Sequence, residues 1–341
     1  MVVVCLLVIA LMVASTVPVG AKKPPPGDDT DPTGTIYFHY TDANDVLNIY
    51  SMNADGSSKT KEVQWADGMT SMSLKKHGDD GNYWYVGFIK VDGTHPDGIP
   101  KTELWAIRDD NGDSELLLDD DSMSYKGWNG PPVWVNGDTH LSWAALKWAD
   151  ATTIEEAGIY KAAITFSDGV PSMSTPDLVW STDPYYHSGN EYYTPEVSYP
   201  SWNPDGTKAV MFSVDGRTVV DFTGVEPTDT VMSGYTTTAF WSPDGSKLAH
   251  LTDHKLYVMD PDGADDTLLV SPKSNPAKDN VFRTIRWSPD SKFLMYSNCF
   301  WSPRTWIGYA DVFIIGVDGS GNTCLTRDLT TPDYIYGRDW R

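Results

Sequence analysis

Basic residues are scarce in this chain, and so are cysteines and several familiar catalytic motifs. Against 47 Asp and Glu there are 25 Lys and Arg, which gives the 341 residues a formal net charge of −22. Such a chain repels phosphate backbones, so nucleic acid is not an expected partner. No Cys-x-x-Cys occurs, which argues against a cysteine zinc site. There is also no Gly-x-Ser-x-Gly, no P-loop and no dinucleotide fingerprint.

The residues that are abundant favour a folded chain with many turns. Aromatic residues make up 12% of the sequence, enough to fill a large core. The 28 Gly and 23 Pro indicate frequent turns rather than long helices. The length permits one large domain or two ordinary ones.

The N-terminus is typical of a targeting segment. Residues 1–21 carry no charge, are almost wholly apolar from 2 to 17, and place Val19 and Ala21 where a signal peptidase accepts small residues. We predict a signal peptide over 1–21, with an uncleaved membrane anchor as the alternative, and hence a periplasmic or secreted protein. Residues 22–33 are rich in Pro and Asp and predict a solvated linker, so the folded domain spans 34–341.

A recurring turn organises the rest of the sequence. Trp202-Asn203-Pro204-Asp205-Gly206 returns as Trp241-Ser242-Pro243-Asp244-Gly245 and as Trp287-Ser288-Pro289-Asp290-Ser291, at spacings of 39 and 46 residues. Pro presets φ in the turn and Asp-Gly tolerates its left-handed end, so each copy predicts a hairpin. A third strand, a further Asp-Gly turn and a short fourth strand complete the unit. Repeats of this length are typical of propellers and other repeat folds.

Six such units account for the domain. Third strands are expected near residues 50, 105, 160, 219, 257 and 314. The chain ends on a first strand with its Trp340, whereas residues 34–38 look like a second strand that lacks a first. We therefore predict an all-β, six-bladed β-propeller of four-stranded antiparallel blades. The C-terminal strand should pair with the strand around Ile36 and close the ring, which removes an open sheet edge.

The turn motif has a resemblance to a known family. Together with Leu-Tyr-Val-Met-Asp-x-Asp-Gly at 256–263, it resembles the repeats of TolB-like six-bladed propellers, clearly over 202–330 and more loosely before. The resemblance implies the fold but leaves function open, because these propellers serve as protein-binding modules, enzyme scaffolds and envelope components. This sequence contains neither the small α/β domain of TolB nor a peptidase domain.

The two cysteines outside the N-terminal segment are Cys299 and Cys324. In an exported chain two cysteines could form a disulfide. We expect Cys299 to end the second strand of a blade and Cys324 to open the fourth, with the third strand between them. The separation is then about 10 Å, because neighbouring strands lie about 4.8 Å apart, and this exceeds the reach of a disulfide. We predict two free thiols.

Predicted loop lengths differ between the two faces of the ring. The connections from first to second and from third to fourth strands are short Asp-Gly turns, and we call their side the turn face. The long connections belong to the opposite side, the loop face: 91–100, 119–127, 149–157, 181–192, 271–280 and 300–308. Aromatic residues of the loop face are candidates for stacking on a sugar or anchoring a partner chain, with capping of the blades as the alternative. These rim residues are Trp128, Tyr185, Tyr186, His187, Tyr192, Tyr193, Trp301 and Trp306.

One segment is a candidate metal site. Asp109, Asn111, Asp113 and Glu115 place oxygen ligands at alternate positions, as a Ca²⁺ loop does. The segment lacks the glycine and the distant Glu of an EF-hand, so an acidic hairpin turn is the alternative. No cofactor other than this Ca²⁺ is expected.

Two functions remain open at this point. The first is an exported, non-enzymatic module that binds a protein or glycan of the cell envelope, which rests on the fold, the signal segment and the lack of a catalytic motif. The second is a polysaccharide lyase or hydrolase that uses the loop-rich mouth of the propeller. A convergent cluster of His, Asp or Glu with a bound cation would favour the enzyme, and a flat aromatic rim would favour binding.

Overall fold

The computed structural model describes residues 31–41, 47–64, 69–76, 83–94, 100–108, 113–119, 123, 126–128, 132–135, 137–150, 153–182, 198–213, 216–232, 239–272, 279–302, 307–329 and 335–341. The regular elements in these ranges are β-strands. No helix within them is long and apolar enough to cross a membrane. The predicted signal peptide and residues 22–30 of the predicted linker lie outside the described residues.

The strands form six antiparallel sheets, and each sheet is one blade. Blade 1 contains β1 (Thr35–Thr41), β2 (Leu47–Asn53), β3 (Thr60–Gln64) and, at its inner edge, β26 (Tyr336–Trp340). Blade 2 contains β4 (Met69–Lys76), β5 (Tyr83–Thr94), β6 (Pro100–Arg108) and β7 (Ser114–Asp119). Blade 3 contains β8 (Lys126–Trp128), β9 (Val133–Val135), β10 (His140–Asp150), β11 (Thr153–Ser167), β12 (Val170–Met173) and β13 (Asp177–Thr182).

The remaining three blades carry the clear copies of the turn motif. Blade 4 contains β14 (Ser198–Trp202), β15 (Lys208–Ser213), β16 (Gly216–Asp221) and β17 (Thr228–Met232). Blade 5 contains β18 (Ala239–Trp241), β19 (Leu248–Thr252), β20 (Lys255–Met259) and β21 (Thr267–Val270). Blade 6 contains β22 (Asp279–Trp287), β23 (Phe293–Ser302), β24 (Ile307–Gly316) and β25 (Thr323–Cys324).

The predicted fold class is confirmed, and the six expected third strands are found as β2, β6, β11, β16, β20 and β24. Blade 3 is the irregular blade. Its first strand is divided into two short strands, β8 and β9, which both pair with β10. Its fourth strand is likewise divided into β12 and β13, which both pair with β11.

The motif turn has a physical reason for each of its residues. Ser242 is buried; its hydroxyl donates to Asp244 Oδ1 (2.6 Å) and accepts the backbone N–H of Lys247 (3.0 Å). Gly245 has a φ of +73°, in the region that glycine enters without strain. Ser288 makes the same pair of bonds in the next copy. Side-chain oxygens thus satisfy backbone groups that the tight turn leaves outside the strand ladder.

The core lies between the blades rather than inside any one of them. Each described cluster of buried apolar side chains joins two neighbouring sheets, between blades 2 and 3, 3 and 4, 4 and 5, 5 and 6, and 6 and 1. The motif tryptophans Trp202, Trp241, Trp287 and Trp340 each pack between their own blade and the preceding one. This position explains why a bulky aromatic residue recurs at the end of the first strand.

The ring is closed by the C-terminal strand, as predicted. The first strands contact one another in the cyclic order β4, β9, β14, β18, β22, β26 and β4 again. In blade 1, Trp340 of β26 lies opposite Ile36 of β1. Thr35 and Arg341 exchange two backbone hydrogen bonds (2.6 and 2.9 Å), and the indole N–H of Trp340 donates to the carbonyl of Thr33 (2.8 Å).

Two of the expected long loops are strands for most of their length. The prediction for 149–157 was wrong, because β10 and β11 pair as far as Asp150 opposite Thr153. The loop predicted over 300–308 is shorter than expected, because β23 and β24 pair out to Ser302 opposite Ile307. The strand β23 therefore continues past Cys299, where we expected it to end. The physical reason is that residues of high β-propensity, such as Trp148 opposite Ile154, extend the ladder beyond the blade.

The free-thiol prediction can be tested directly. Cys299 lies opposite Ala310 and Cys324 opposite Phe313, so β24 separates the two thiols, and both are free in the structure. We expect alkylation of the denatured, unreduced protein to label both residues when its peptides are measured by mass spectrometry. A disulfide-linked pair of peptides would show the register argument to be wrong.

Loss of the Trp340 side chain should destabilise the closed ring. Trp340→Ala removes a buried ring packed between blades 6 and 1, and we expect it to lower the free energy of unfolding by about 3–5 kcal/mol. Trp340→Phe keeps an aromatic ring but loses the bond to Thr33, so its effect should be clearly smaller. Urea denaturation measures both, and an Ala variant as stable as the wild type would contradict the closure.

Candidate functional site

Three residues with nitrogen-bearing side chains are linked by hydrogen bonds at the inner edge of blades 6 and 1. Arg286 lies on β22 and Arg338 on β26, which are contacting first strands of the ring. The Nε–H of Arg286 donates to the backbone carbonyl of Arg338 (2.8 Å). The Nε–H of Arg338 donates to Nδ1 of His39 (2.8 Å), whose side chain is buried. We call His39, Arg286 and Arg338 the basic cluster; its two guanidinium groups stay charged at physiological pH.

Arg286 connects three blades at this edge. Its guanidinium lies 5.5 Å from the centre of the Phe240 ring of blade 5, while it belongs to blade 6 and bonds to blade 1. A cation over an aromatic face is stabilised by roughly 0.5–2 kcal/mol. The residue remains half-buried, so packing holds its position without removing it from solvent.

Two β-bulges place these residues. On β26, Asp339 pairs with Tyr37 and Gly337 with Phe38, which leaves Arg338 as the extra residue. On β22 the extra residue is Thr284, with a φ of +43°. A β-branched residue in this region stores strain of about 1–3 kcal/mol, and bulges re-aim neighbouring side chains.

A buried serine holds the two bulged strands together. The hydroxyl of Ser297 accepts the backbone N–H of Gly337 (3.0 Å) and shares a hydrogen bond with the hydroxyl of Thr284 (2.7 Å). A side chain at Gly337 would meet the sulfur of Met295 at 2.6 Å, so glycine permits the close approach. The backbone around Arg338 is therefore fixed from both sides.

An aromatic ring and a thiol adjoin the basic cluster. The ring of Tyr336 meets His39 edge-on at 5.0 Å, and the guanidinium of Arg338 lies 6.0 Å from the centre of the same ring. The thiol of Cys299 donates to the Tyr336 hydroxyl (3.7 Å). Since motif tryptophans mark the turn-face end of each first strand, Tyr336, four residues before Trp340, lies toward the loop face.

The other end of β26 is tied down on the turn face. Arg341 pairs with Asp339 and, across the neighbouring blade, with Asp138 of the β9–β10 turn (both 2.8 Å). Burial lowers the pKa of Arg341, but the two carboxylates outweigh it and raise that pKa above its ordinary value. The closing strand is thus anchored by ion pairs at its turn-face end, and Tyr336 lies at its opposite end.

Most predicted rim residues lie outside the described residues: Tyr185, Tyr186, His187, Tyr192, Tyr193 and Trp306. Two have a described backbone, and both lie on strands rather than in loops. Trp301 pairs with Gly308 and Asp279 near the loop-face end of β23, and Trp128 ends β8 opposite Ala145. Trp301 belongs to the same blade as Arg286 and Cys299, so one predicted rim residue shares a blade with one member of the basic cluster.

The candidate Ca²⁺ segment is described only in part. Asp109 and Asn111 lie outside the described residues, Asp113 is exposed before β7, and Glu115 lies on β7 opposite Ala106. Across the described ranges, no three His, Cys, Asp or Glu side chains come together as a metal ion requires. The Ca²⁺ site stays a prediction.

The sequence reasoning did not find the basic cluster. Its members lie far apart, at 39, 286 and 338, and only ring closure brings them together. One signal was present: Arg286 directly precedes a motif tryptophan, where the two preceding copies have Ser201 and Phe240. An arginine at that inner position is unusual in so acidic a chain.

A second titratable group is buried between blades 4 and 5. His250 bonds to Thr252 (3.0 Å) and to Asp266 (2.9 Å), and stacks on Tyr257 at 5.1 Å. Burial, followed by the nearby charge of the fully buried Arg217, lowers the pKa of His250 to about 4, although Asp266 opposes the shift. The imidazole is therefore neutral at physiological pH, and its place within the packing assigns it to the core.

Comparison with known proteins finds remote structural similarity and no family. No protein-family model matches the chain, and no curated protein matches it. A proposed 6-phosphogluconolactonase of Bacteroides uniformis superposes with a TM-score of 0.45 at 14% identity, over 86% of this chain and 82% of that one. The GH74 enzyme of Niastella koreensis superposes with a TM-score of 0.48 at 12% identity, over 86% of this chain and 45% of that one. Similarities this low carry no argument about function.

Acid should weaken the fold through His250. Its folded pKa of about 4 lies below the ordinary 6.5, so the unfolded chain binds the proton first and stability falls as pH drops from 6.5 to 4. The loss from this group is about 3 kcal/mol. His250→Phe keeps the stacking and removes the titration, so its urea midpoint should depend less on pH in that window. A variant that follows the wild-type pH profile in parallel would contradict this.

Proposed function

We propose that the protein is an exported binding module of the cell envelope, and that it takes an acidic group of its partner at the basic cluster. The observation that carries the proposal is the placement of Arg286, Arg338 and His39 on the inner wall of the ring, in a chain whose formal net charge is −22. A fixed positive site in a negative protein would direct an acidic group of the partner to one place on the surface.

The surroundings of the cluster favour a pre-formed site. Bulges at Thr284 and Arg338, the Ser297 bonds and the cation–π contact with Phe240 hold the guanidinium groups before any partner arrives. Pre-organised arginines recognise carboxylate, sulfate or phosphate groups with charge-assisted hydrogen bonds. The predicted aromatic rim would contact the remainder of the partner, a glycan or a protein segment.

Export and family membership complete the proposal. The apolar segment 1–21 supports passage to the periplasm or the exterior as a signal peptide, or as an anchor if it is retained. The hydrogen-bonded Ser-Pro-Asp-Gly turns support membership of the TolB-like propellers.

A second candidate, the polysaccharide lyase or hydrolase, draws support from one observation. The Tyr336 hydroxyl and His39 adjoin Arg338, so groups that transfer protons lie beside one that neutralises a carboxylate. The two functions differ in outcome, because only the enzyme shortens the glycan it binds.

Neutralising the cluster should abolish recognition of acidic partners. We expect the wild type to bind alginate or heparin, or polyglutamate if the partner is a protein, but not neutral dextran. Arg338→Gln and Arg286→Gln should weaken binding at least about tenfold, because each removes a charge-assisted interaction of about 1.5–3 kcal/mol. Calorimetric titration at two salt concentrations measures the affinities.

The matched control is Arg327→Gln, since Arg327 is an exposed arginine of blade 6 away from the cluster. Unfolding midpoints of all three variants separate lost binding from lost structure. Failure of the wild type to bind any polyanion, or unchanged binding by both cluster variants, contradicts the proposed function. Appearance of new reducing or unsaturated ends in alginate would favour the enzyme over the binding module.

A further inference from the structure

A cavity of about 510 Å³ lies between blades 4 and 5, well away from the basic cluster. One wall is blade 4, with Lys208, Val219 and residues 230–232; the other is Trp241 with the turn 261–263 of blade 5. The volume falls within the range of small-molecule sites, roughly 300–1,000 Å³. The cavity is placed toward the turn face, because Trp241 and the Asp-Gly turn both lie there.

A buried donor lies on a residue that lines the cavity. Between blades 5 and 6, the indole N–H of Trp287 donates to the carbonyl of Phe240 (2.8 Å) and joins the two first strands. The equivalent indole N–H of Trp241 is buried and, like that of Trp202, has no hydrogen-bond partner among the described residues. A buried donor left unpaired costs about 1–3 kcal/mol. The first strands of blades 4 and 5 are joined instead by the backbone N–H of Trp241, which donates to the hydroxyl of Ser201 (2.9 Å), so the indole N–H stays available to a ligand.

The cavity is lined by an apolar floor and by polar side chains that include hydrogen-bond donors and acceptors. Register aligns Val219 with Thr230 on the face of blade 4 that meets blade 5, and Met232 packs with Val219 against Trp241. Val231 is 43% exposed, and because side chains alternate along a strand, it faces away from the cavity side that Thr230 and Met232 share. Lys208 supplies hydrogen-bond donors, Asp262 supplies acceptors, and the hydroxyl of Thr230 can both donate and accept.

Charge at the cavity favours a neutral ligand. Lys208 already pairs with Asp221 (2.9 Å), and Asp262 lies on the opposite wall. An anion would meet the unscreened carboxylate of Asp262 and the net charge of the chain, while a cation would meet Lys208. A ligand with apolar C–H faces and several hydroxyl groups matches both the floor and the polar groups.

We propose that this cavity is a binding site for a neutral sugar, a mono- or disaccharide unit, separate from the acidic-group site. The sugar ring lies against Val219 and Met232, and its hydroxyls pair with Asp262, Thr230 and Lys208. A hydroxyl oxygen that reaches the Trp241 N–H would also satisfy that donor. The site is independent of the basic cluster, so its test stands whatever the outcome there.

Two matched pairs of variants test the site. Thr230→Trp fills the cavity from an exposed position on the face of β17 that meets blade 5, and Leu268→Trp adds an indole on the outer strand of blade 5, where Leu268 is 47% exposed. Asp262→Ala removes a cavity carboxylate together with its bond to the N–H of Ala264 (2.9 Å). Asp318→Ala removes the equivalent bond to Ser320 (2.9 Å) in blade 6, with no cavity residue changed.

The measurement is saturation-transfer NMR with maltose, cellobiose and N,N′-diacetylchitobiose at millimolar concentration. We expect transfer to at least one disaccharide for the wild type, Leu268→Trp and Asp318→Ala. Thr230→Trp should abolish it, and Asp262→Ala should weaken it about tenfold. Arg338→Gln should leave it unchanged. The proposal is overturned if no disaccharide shows transfer to the wild type, or if Thr230→Trp retains it.

Discussion

The antiparallel pairing of β26 with β1 joins the two ends of the chain in one sheet, and the rest of the structure depends on it. Ile36 and Trp340 face each other across this pair and both belong to the core cluster between blades 6 and 1. Because the hydrophobic core lies between blades, each sheet is stabilised only by its neighbours. Without β26, blade 1 would lose its inner strand and blade 6 would lose one of its two packing surfaces, so a local loss would spread around the ring.

The same strand builds the candidate site. Arg338 is the bulged residue of β26, its guanidinium bonds to His39 of β1, and its carbonyl accepts from Arg286 of β22. These residues come from the beginning and the end of the domain, so the basic cluster exists only in the closed ring. Arg341 and Trp340 fix the strand on the turn face, and Tyr336 at its other end lies toward the loop face, where the predicted aromatic rim lies.

Much of the architecture was predictable because its causes are local. The Pro-Asp-Gly turn, the tryptophan before it and the alternating third strand repeat within each blade, so the blade count and the closure by Trp340 followed from the sequence. The extent of hairpins was less predictable, since the ladder from Trp148 to Ile154 continues through residues that resemble a loop by length alone. The basic cluster and the cavity beside Trp241 arise from long-range placement. Neither a bulge at Arg338 nor an unpaired indole N–H has a sequence signature.

The central claim is that one closing strand supplies both the stability of the ring and its acidic-group site. The most direct measurement compares the full chain with one that ends before Ile335, alone and with a synthetic peptide of residues 335–341. The account predicts that truncation lowers the urea midpoint and abolishes polyanion binding, and that the peptide restores both together. A truncated chain that keeps its midpoint and its binding without the peptide would contradict the account.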